Sequence, residues 1–406
     1  MPPHPYNYHW EPIRSLWIIY SLLFLIFLKL PYWLIISVPR SGRLCREWTY
    51  GRSMHVRIVK WAIKLSDRTG ELLFSPDHRA IPTNLPPHVQ GVWVEGIPDH
   101  LIVGQIKDWA ELADIRPMRI PGYWYQRPGD AVIGGPARRG EKIALNLHGG
   151  AYITFSAHPN DISQNITRGI LSECPSINRI FSLEYRLSST APYKAEFPFP
   201  AAVLDALSGY YYLIETVGVS PDDLVIIGDS AGANLALALI RYLIRHPLHP
   251  LPIAKSLLLL SPWCEMGPSH MGLDSSFEDN KHTDYIRDVR GNMAEYSLRA
   301  YCAAVGLQES HHNPYISPAS RLLPPEVVRG LFEGFPKTMI IAGSGERLLD
   351  SIRTLRDRFL KDVGQDGVQY LEVPNAIHDF CVFPWYEPER STVLKAVEEW
   401  LREKRG

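Results

Sequence analysis

Strand-like and helix-like hydrophobic patterns alternate along most of this chain, from about Val92 to Trp400. Short apolar runs such as residues 143–147 and 224–227 are typical of strands that are buried on both faces, and longer stretches with helical spacing follow them. Strands that alternate with helices form a mostly parallel sheet covered by helices on both faces. We therefore expect an α/β fold built around one such sheet.

The most apolar stretch of the chain covers residues 16–38, with Lys29 and Pro31 as its interruptions. A single helix of this length would extend about 34 Å, enough to cross the hydrocarbon core of a bilayer. A signal peptide has a shorter apolar core and a cleavage site of small residues, which residues 39–42 do not offer. We predict a retained membrane anchor, with a signal peptide, an interfacial hairpin or a hydrophobic cap as alternatives.

A serine nucleophile is indicated by the pentapeptide Gly228-Asp229-Ser230-Ala231-Gly232, which lies between a strand-like run and a helix-like run. A sharp strand-to-helix turn holds the serine in a strained conformation with positive φ, so only small residues fit two positions before and after it. Gly228 and Gly232 meet this requirement. We therefore predict that Ser230 attacks an ester carbonyl.

An oxyanion hole is indicated by the loop His148-Gly149-Gly150-Ala151, which follows a buried strand-like run. A tetrahedral intermediate needs N–H groups aimed at its negative oxygen, and glycine lets the backbone approach the substrate closely. The residue after the nucleophile supplies a further N–H in hydrolases with this type of turn. We expect Gly149, Gly150 and Ala231 to be the donors, and His148 to shape the loop.

Two later strand-like runs supply candidates for the acid and the base. Residues 338–342 lead to Glu346, and residues 368–373 lead to His378. Chemistry gathers at the carboxyl ends of strands in open α/β sheets, and hydrolases of this architecture use the order serine, acid, histidine. We predict that His378 carries the proton of the nucleophile and that Glu346 orients its ring, with Asp350 as the alternative acid.

With these motifs in order, the chain resembles the hormone-sensitive-lipase branch of the α/β-hydrolase superfamily, whose marks are an H-G-G loop followed by G-D-S-A-G. Secondary marks agree, because residues 185–187 match a Y-R-L segment and residues 197–200, followed by Asp205, match a proline-rich helix entry. The resemblance covers approximately residues 90–402. It implies the α/β-hydrolase fold and a carboxylesterase or deacetylase with a capped pocket for small acyl groups.

The chain departs from this family pattern at two positions. The family loop usually reads H-G-G-G, whereas Ala151 replaces the third glycine; its N–H can still donate, but its methyl group trims the pocket. The family acid is usually Asp followed by Pro-Leu, whereas this chain has Glu346-Arg347-Leu348. Glutamate serves in related triads, so we expect activity to survive.

We divide the chain into four parts. Residues 1–15 form a tail, residues 16–38 the anchor, residues 39–90 a linker and part of a cap, and residues 91–406 the catalytic domain. Within the catalytic domain, residues 267–313 break the alternation with polar and aromatic residues, and we expect them to complete the cap. Caps exclude water and shape the choice of substrate.

Two arguments place the catalytic domain on different sides of a membrane. An excess of arginine follows the apolar stretch, at Arg40, Arg43, Arg46 and Arg52, and this bias favours the cytosol. The resemblance extends to arylacetamide deacetylases and fungal steryl acetyl hydrolases, which face the lumen of the endoplasmic reticulum. The sequon Asn165-Ile166-Thr167 permits glycosylation and leaves both sides open.

Charge and cysteine content narrow the chemistry. The formal net charge is −1 without a basic run, which argues against a nucleic-acid partner. The five cysteines lack C-x-x-C spacing, and no zinc-ligand pattern occurs, so we expect no disulfide framework, metal or cofactor.

These observations together predict hydrolysis of a short acyl ester of a hydrophobic alcohol, through an acyl-enzyme. An acyltransferase would use the same residues. A non-catalytic ligand-binding protein on this scaffold is the alternative of another class.

Overall fold

The computed structural model of the protein describes residues 6–70, 72, 76–129, 134–246, 251–287 and 292–403. Within these residues, eight strands form one sheet: β1 (Val89–Val94), β2 (Ile120–Gln126), β3 (Ile143–Leu147), β4 (Arg179–Leu183), β5 (Leu224–Asp229), β6 (Ser256–Leu260), β7 (Lys337–Gly343) and β8 (Val368–Val373). Their spatial order is β1-β2-β4-β3-β5-β6-β7-β8. The pairs β1–β2 and β2–β4 are antiparallel, and all later neighbours are parallel. This sheet confirms the predicted α/β-hydrolase fold.

Helices flank the sheet and extend beyond it at the amino terminus. In the described part of the chain the α-helices are α1 (Ile13–Phe24), α2 (Leu30–Ile36), α3 (Tyr50–Thr69), α4 (Gly104–Leu112), α5 (Gln164–Glu173), α6 (Ala201–Tyr211), α7 (Ser230–Arg245), α8 (Ser276–Asp279), α9 (Asn292–Tyr301), α10 (Leu307–His312), α11 (Pro325–Val328), α12 (Leu349–Gly367) and α13 (Glu389–Arg402). Helices α8, α9 and α10 lie in the predicted cap segment between β6 and β7.

The continuous apolar character of the central strands follows from burial on both faces. In β5, Leu224 and Ile226 pack into the core that also contains residues of α6, α7 and α12. Val225 and Ile227 point the other way, into a second core with residues of α5 and α13. Because successive side chains of a strand point to opposite faces, a strand between two helical layers needs an apolar residue at every position.

The register of the sheet places four functional segments at one edge. Leu147, the last residue of β3, pairs with Gly228 of β5, and Asp229 pairs with Leu260 of β6. Gly343 pairs with Val373 at the ends of β7 and β8. The four loops that follow β3, β5, β7 and β8 therefore begin at the same carboxyl edge of the sheet, where open α/β sheets bind their ligands.

The amino-terminal apolar stretch is helical as far as Ile36. Helix α1 continues through a π-helical turn, Leu25–Lys29, into α2, and together they form one 24-residue helix whose most apolar 18-residue window has a mean hydropathy of 2.0. Pro31 lies in the first turn of α2. A proline lacks the N–H for the next helical hydrogen bond, and a π-helical turn just before it absorbs the resulting mismatch. The helix is long and apolar enough to cross a membrane.

Candidate active site

Ser230 has the backbone conformation that the pentapeptide predicts. It is the first residue of α7, directly after β5, and its φ is 48°. A Cβ atom on Gly228 would lie 2.4 Å from the carbonyl oxygen of Gly232, and one on Gly232 would lie 1.9 Å from that of Leu147. Any side chain at either glycine would collide with backbone. The turn therefore holds the serine in a left-handed conformation, with its hydroxyl facing the carboxyl edge of the sheet.

The structure brings Ser230, His378 and Glu346 together. Nε2 of His378 lies 3.0 Å from Oγ of Ser230, and Nδ1 of His378 lies 3.0 Å from Oε2 of Glu346. All three side chains are buried, and Ser230 remains 9% exposed. Asp350, the alternative acid, accepts the N–H of Ser276 at 2.8 Å instead. Of the two carboxylates, only Glu346 contacts the histidine among the described residues.

The carboxyl group of Glu346 is held by the turn after β7. Its Oε1 accepts the N–H of Gly343 at 2.5 Å and lies 3.3 Å from the hydroxyl of Ser261. Burial raises the pKa of Glu346 to about 7, and the hydrogen bond from His378 opposes that rise. The longer side chain of glutamate folds back over its own turn, so it reaches the histidine from the position where the family has aspartate.

A second carboxylate lies beside His378. Oδ2 of Asp379 is 3.1 Å from Nε2, the ring nitrogen that also faces Ser230. Burial alone lowers the pKa of His378, but the charges of Asp379 and Glu346 outweigh burial and hold this pKa well above its usual value. Asp379 has φ = 46°, and its N–H donates to Oγ of Ser261 at 3.1 Å. Asp379 was not among the predicted site residues, although its place next to the predicted base was a usable signal.

The predicted oxyanion loop is anchored to the nucleophile turn through Gly149. The Gly149 N–H donates to Oδ2 of Asp229 at 2.9 Å, so this predicted donor is already engaged. Gly150 has φ = 109°, and a Cβ atom there would lie 2.1 Å from the carbonyl oxygen of Thr154. Ala151 follows with φ = 53°. Among the described residues, the N–H groups of Gly150 and Ala151 have no hydrogen-bond acceptor.

Aromatic side chains fix the rest of this loop. The hydroxyl of Tyr185 donates to the carbonyl oxygen of His148 at 2.6 Å, and the two rings stack with centroids 4.3 Å apart. The hydroxyl of Tyr152 donates to Oδ1 of Asn234 in α7 at 2.8 Å. Tyr152 also stacks on Tyr301 of α9, with centroids 3.8 Å apart. His148 therefore packs against Tyr185 and helps to fix the conformation of the loop, the shaping role predicted for it.

Asp284, in the predicted cap segment, ties the acid loop to the base loop. Its Oδ2 accepts the N–H of Arg347 at 2.7 Å, and its Oδ1 accepts the N–H of His378 at 3.3 Å. The amine of Lys60, on α3, donates to the carbonyl oxygen of Asp284. Burial lowers the pKa of Lys60 to about 8, against the opposing charge of Asp284. Nothing in the sequence pattern marked this carboxylate, because its role depends on packing between distant segments.

The predicted glycosylation residue is part of the packed structure. Asn165 lies in α5, where its Nδ2 donates to the carbonyl oxygen of Val382 at 3.0 Å and its Oδ1 accepts from Arg168 at 2.7 Å. A glycan is attached through this same amide nitrogen. Glycosylation would therefore require α5 and the 382 region to separate.

Comparison with known proteins identifies a family and several relatives. The model of the α/β-hydrolase fold family matches residues 144–382. An acetyl-hydrolase of Streptomyces hygroscopicus is 31% identical over 67% of this chain and 80% of its own length. An esterase of Acinetobacter venetianus is 25% identical over 70% of this chain and 81% of its own length.

A solved structure agrees with these sequence matches at the level of the fold. The hormone-sensitive-lipase homologue EstE7 from a metagenome library has a TM-score of 0.56 and 22% identity over 86% of this chain and 97% of its own. The α/β-hydrolase fold that the resemblance implied is thereby confirmed.

Proposed function

Because this chain belongs to the α/β-hydrolase fold family and is a carboxylic ester hydrolase, we propose that Ser230, His378 and Glu346 carry its reaction. The observation that carries the proposal is the unbroken series of contacts from Oγ of Ser230 through both ring nitrogens of His378 to Glu346. A nucleophile, a base and an orienting acid within hydrogen-bond reach are the requirements of acyl transfer through an acyl-enzyme.

In this mechanism Oγ of Ser230 attacks the ester carbonyl while Nε2 of His378 takes the hydroxyl proton. The tetrahedral intermediate collapses, the alcohol leaves with the proton from His378, and the acyl group stays on Ser230. Water then attacks the acyl-enzyme with His378 again as the base, which releases the carboxylic acid and restores the serine. Glu346 keeps the ring oriented and stabilises the imidazolium that forms in both steps.

The oxyanion would be stabilised by the N–H groups of Gly150, Ala151 and Ala231. Because the Gly149 N–H is engaged with Asp229, we assign Gly149 to fixing the loop rather than to binding the intermediate. The positive φ angles of Gly150 and Ala151 turn the following peptide groups out of the strand direction. Preorganised donors of this kind are worth about 2.7–4 kcal/mol each to the transition state.

The substrate we propose is a short acyl ester of a hydrophobic alcohol. The acetyl-hydrolase relative supports a short acyl group, and the Ala151 methyl in place of glycine reduces the space at the oxyanion loop. The exposed apolar helix supports a membrane-associated enzyme, and the resemblance to membrane-anchored deacetylases supports the endoplasmic reticulum as its location.

Labelling with a fluorophosphonate tests the nucleophile. We expect the probe to label the full chain and the matched control Ser172→Ala, in which an exposed serine of α5 is changed, but not Ser230→Ala. Persistent labelling of Ser230→Ala would refute the assignment.

Hydrolysis rates on p-nitrophenyl acetate, butyrate and octanoate test the acyl size. A rate that rises from acetate to octanoate would contradict a short-acyl pocket.

A further inference from the structure

The amino-terminal helix leaves most of its apolar surface uncovered. In the 24-residue helix Ile13–Ile36, only 11% of the most apolar 18-residue window is buried. Phe27 is 69% exposed and Ile35 is 73% exposed. Leu16, Ile19 and Leu23 are exposed as well. A soluble protein does not leave a continuous apolar surface of this length in water, so a partner covers it.

The opposite side of this helix lies along α3 over its whole length. Near one end, Nε of Arg14 donates to the carbonyl oxygen of Thr69 at 2.8 Å. Near the other end, the hydroxyl of Tyr50 donates to the carbonyl oxygen of Leu34 at 3.1 Å. The two helices are therefore antiparallel neighbours.

Two ring contacts lie between these ends. The Arg68 guanidinium lies 5.5 Å from the Trp17 ring centroid, and that of Arg57 lies 6.0 Å from the Trp33 centroid. Both arginines belong to α3 and both rings to the apolar helix, so the pairing extends along both helices.

Helix α3 is itself fastened to the catalytic domain. Nη2 of Arg52 donates to the carbonyl oxygen of Glu387 at 2.8 Å, and the His55 ring stacks on Trp385 at 4.7 Å. At the far end, Nη2 of Arg287 donates to the carbonyl oxygen of Ile63 at 2.9 Å. Lys60 reaches the segment that contains Asp284. Helix α3 thus cannot enter a bilayer without taking this surface of the domain with it.

Positive charge gathers where the two helices meet. Lys64 and Arg68 of α3 lie close enough to Lys29 for their charges to repel it. We call Lys29, Lys64 and Arg68 the cation cluster. Lys64 is exposed, and Lys29 lies between the rings of Phe24 and Trp33, 5.6 and 5.8 Å from their centroids. Such a cluster, with Lys29 well inside the ends of an apolar helix, does not suit a hydrocarbon core, but it suits the depth of lipid phosphates.

We propose that the helix Ile13–Ile36 lies in the plane of an anionic phospholipid surface, with its exposed side among the acyl chains and the cation cluster at the phosphates. Helix α3 then lies between the lipid and the catalytic domain. This proposal rests on the membrane association proposed above and gives it a topology. A helix that crossed the bilayer would have to separate from α3 along its length, and would lose the contacts of Arg14, Arg57, Arg68 and Tyr50.

Cysteine accessibility at the two ends of the helix distinguishes the topologies. In a Cys45→Ser background, the exposed positions Asn7→Cys and Ser41→Cys flank the helix, and the other four cysteines are buried. The full chain is inserted co-translationally into sealed microsomes and treated with a membrane-impermeant maleimide. We expect both reporters to react alike, either both before or both only after the vesicles are opened. Labelling of one end before and the other only after opening would overturn the in-plane topology.

Charge reversal tests the lipid contact. We expect Lys64→Glu to weaken sedimentation of the full chain with phosphatidylcholine–phosphatidylserine vesicles by about tenfold, because each basic residue near an anionic surface contributes severalfold to binding. The control Lys255→Glu changes an exposed lysine that precedes β6, at the amino edge of the sheet, and should bind as the unchanged chain does. Equal binding of both variants, or binding independent of phosphatidylserine, would overturn the phosphate contact.

Hydrolysis of a soluble acetate ester is measured for every variant. Loss of esterase activity in the unchanged chain would refute the proposed reaction, and failure of the unchanged chain to sediment with any vesicle would refute membrane association. Neither result would be confused with opposite-side labelling, which refutes the in-plane topology alone.

Discussion

Asp379 lies 3.1 Å from Nε2 of His378, the ring nitrogen that accepts the proton of Ser230 in the proposed mechanism. A carboxylate in this place favours the imidazolium over the neutral ring. The carboxylates of Asp379 and Glu346 together raise the pKa of His378. Only the neutral ring can act as the base. We therefore expect activity to fall on acidification at a higher pH than it would with a histidine of ordinary pKa.

Asp379→Asn should move the acid limb of kcat/KM to lower pH, by about one unit or more, because an opposite charge at this distance raises a histidine pKa by about 1–3 units. The sign follows from the charge, since a weaker hold on the proton lets the ring become neutral at lower pH. Hydrolysis of a soluble acetate ester from pH 5 to 9 measures the shift. An acid limb that stays in place or moves to higher pH would contradict the role given to Asp379.

Glu346→Gln should lower kcat by about 10⁴-fold, the scale seen when a triad acid is neutralised. The amide would keep the size of the side chain but could not stabilise the imidazolium. Asp350→Asn is the matched control, because Asp350 sits on the same segment and bonds to Ser276 instead of the base. The control should retain kcat within about twofold, and the reverse ranking would give the role of the acid to Asp350.

Asp284→Asn should lower kcat by about 10–100-fold with little change in KM. This is the scale seen in metalloenzymes when a group that orients a metal-binding side chain is removed. Asparagine can accept only one of the two N–H groups, from Arg347 and His378, that the carboxylate accepts. The rate of fluorophosphonate labelling should fall with kcat. Asp279→Asn, an exposed carboxylate on α8 in the same segment, is the control and should leave both rates unchanged.

Removal of residues 1–41 should give a soluble chain that hydrolyses a small soluble ester within about twofold of the full-length rate. The deletion takes away the exposed apolar helix, whose contact with water costs about 25 cal/mol per Å² of apolar surface. It leaves α3 and all contacts of Lys60. A loss of activity toward the soluble ester would mean that the apolar helix is part of the substrate pocket.

A longer deletion, of residues 1–70, removes α3 as well. It should reduce activity strongly, because Lys60 and the bond from Trp48 to the carbonyl oxygen of Asn375, at 2.8 Å, support the loop that carries His378. Unchanged activity of this shorter chain would contradict the support that we assign to α3. Circular dichroism of both truncated chains separates a lost contact from a failure to fold.

The parts of this site that were predictable from the sequence are those that end a strand. Ser230, Glu346 and His378 each follow an apolar run within a few residues, and parallel strands bring such positions to one edge. The engagement of the Gly149 N–H with Asp229 was not predictable, because it depends on the distance between two loops. The role of Asp284 was not predictable for the same reason, since more than 60 residues separate it from Arg347 and more than 90 from His378.

The amino-terminal region also contains one feature that was predictable from the sequence and one that was not. Apolar composition predicted the helix over residues 16–38, and in the structure it begins three residues earlier and ends two residues earlier, at Ile13–Ile36. Residues 39–90 were predicted only as a linker and part of a cap. Their main element, α3, has a low hydropathy and several cations, so its composition carries no sign of the two surfaces between which it lies.

Helix α3 separates the apolar helix from the loop that carries His378, and a helix is only about 10–12 Å across. An ester cleaved at this depth gives one product that prefers oil and one that prefers water. With the proposed substrate and topology, the hydrophobic alcohol would return to the lipid a helix diameter away, whereas the short carboxylate would diffuse into the aqueous phase. Partition of the two products into different phases would keep them from meeting again at the enzyme, so its proposed position would suppress the reverse reaction as well as the excess of water does.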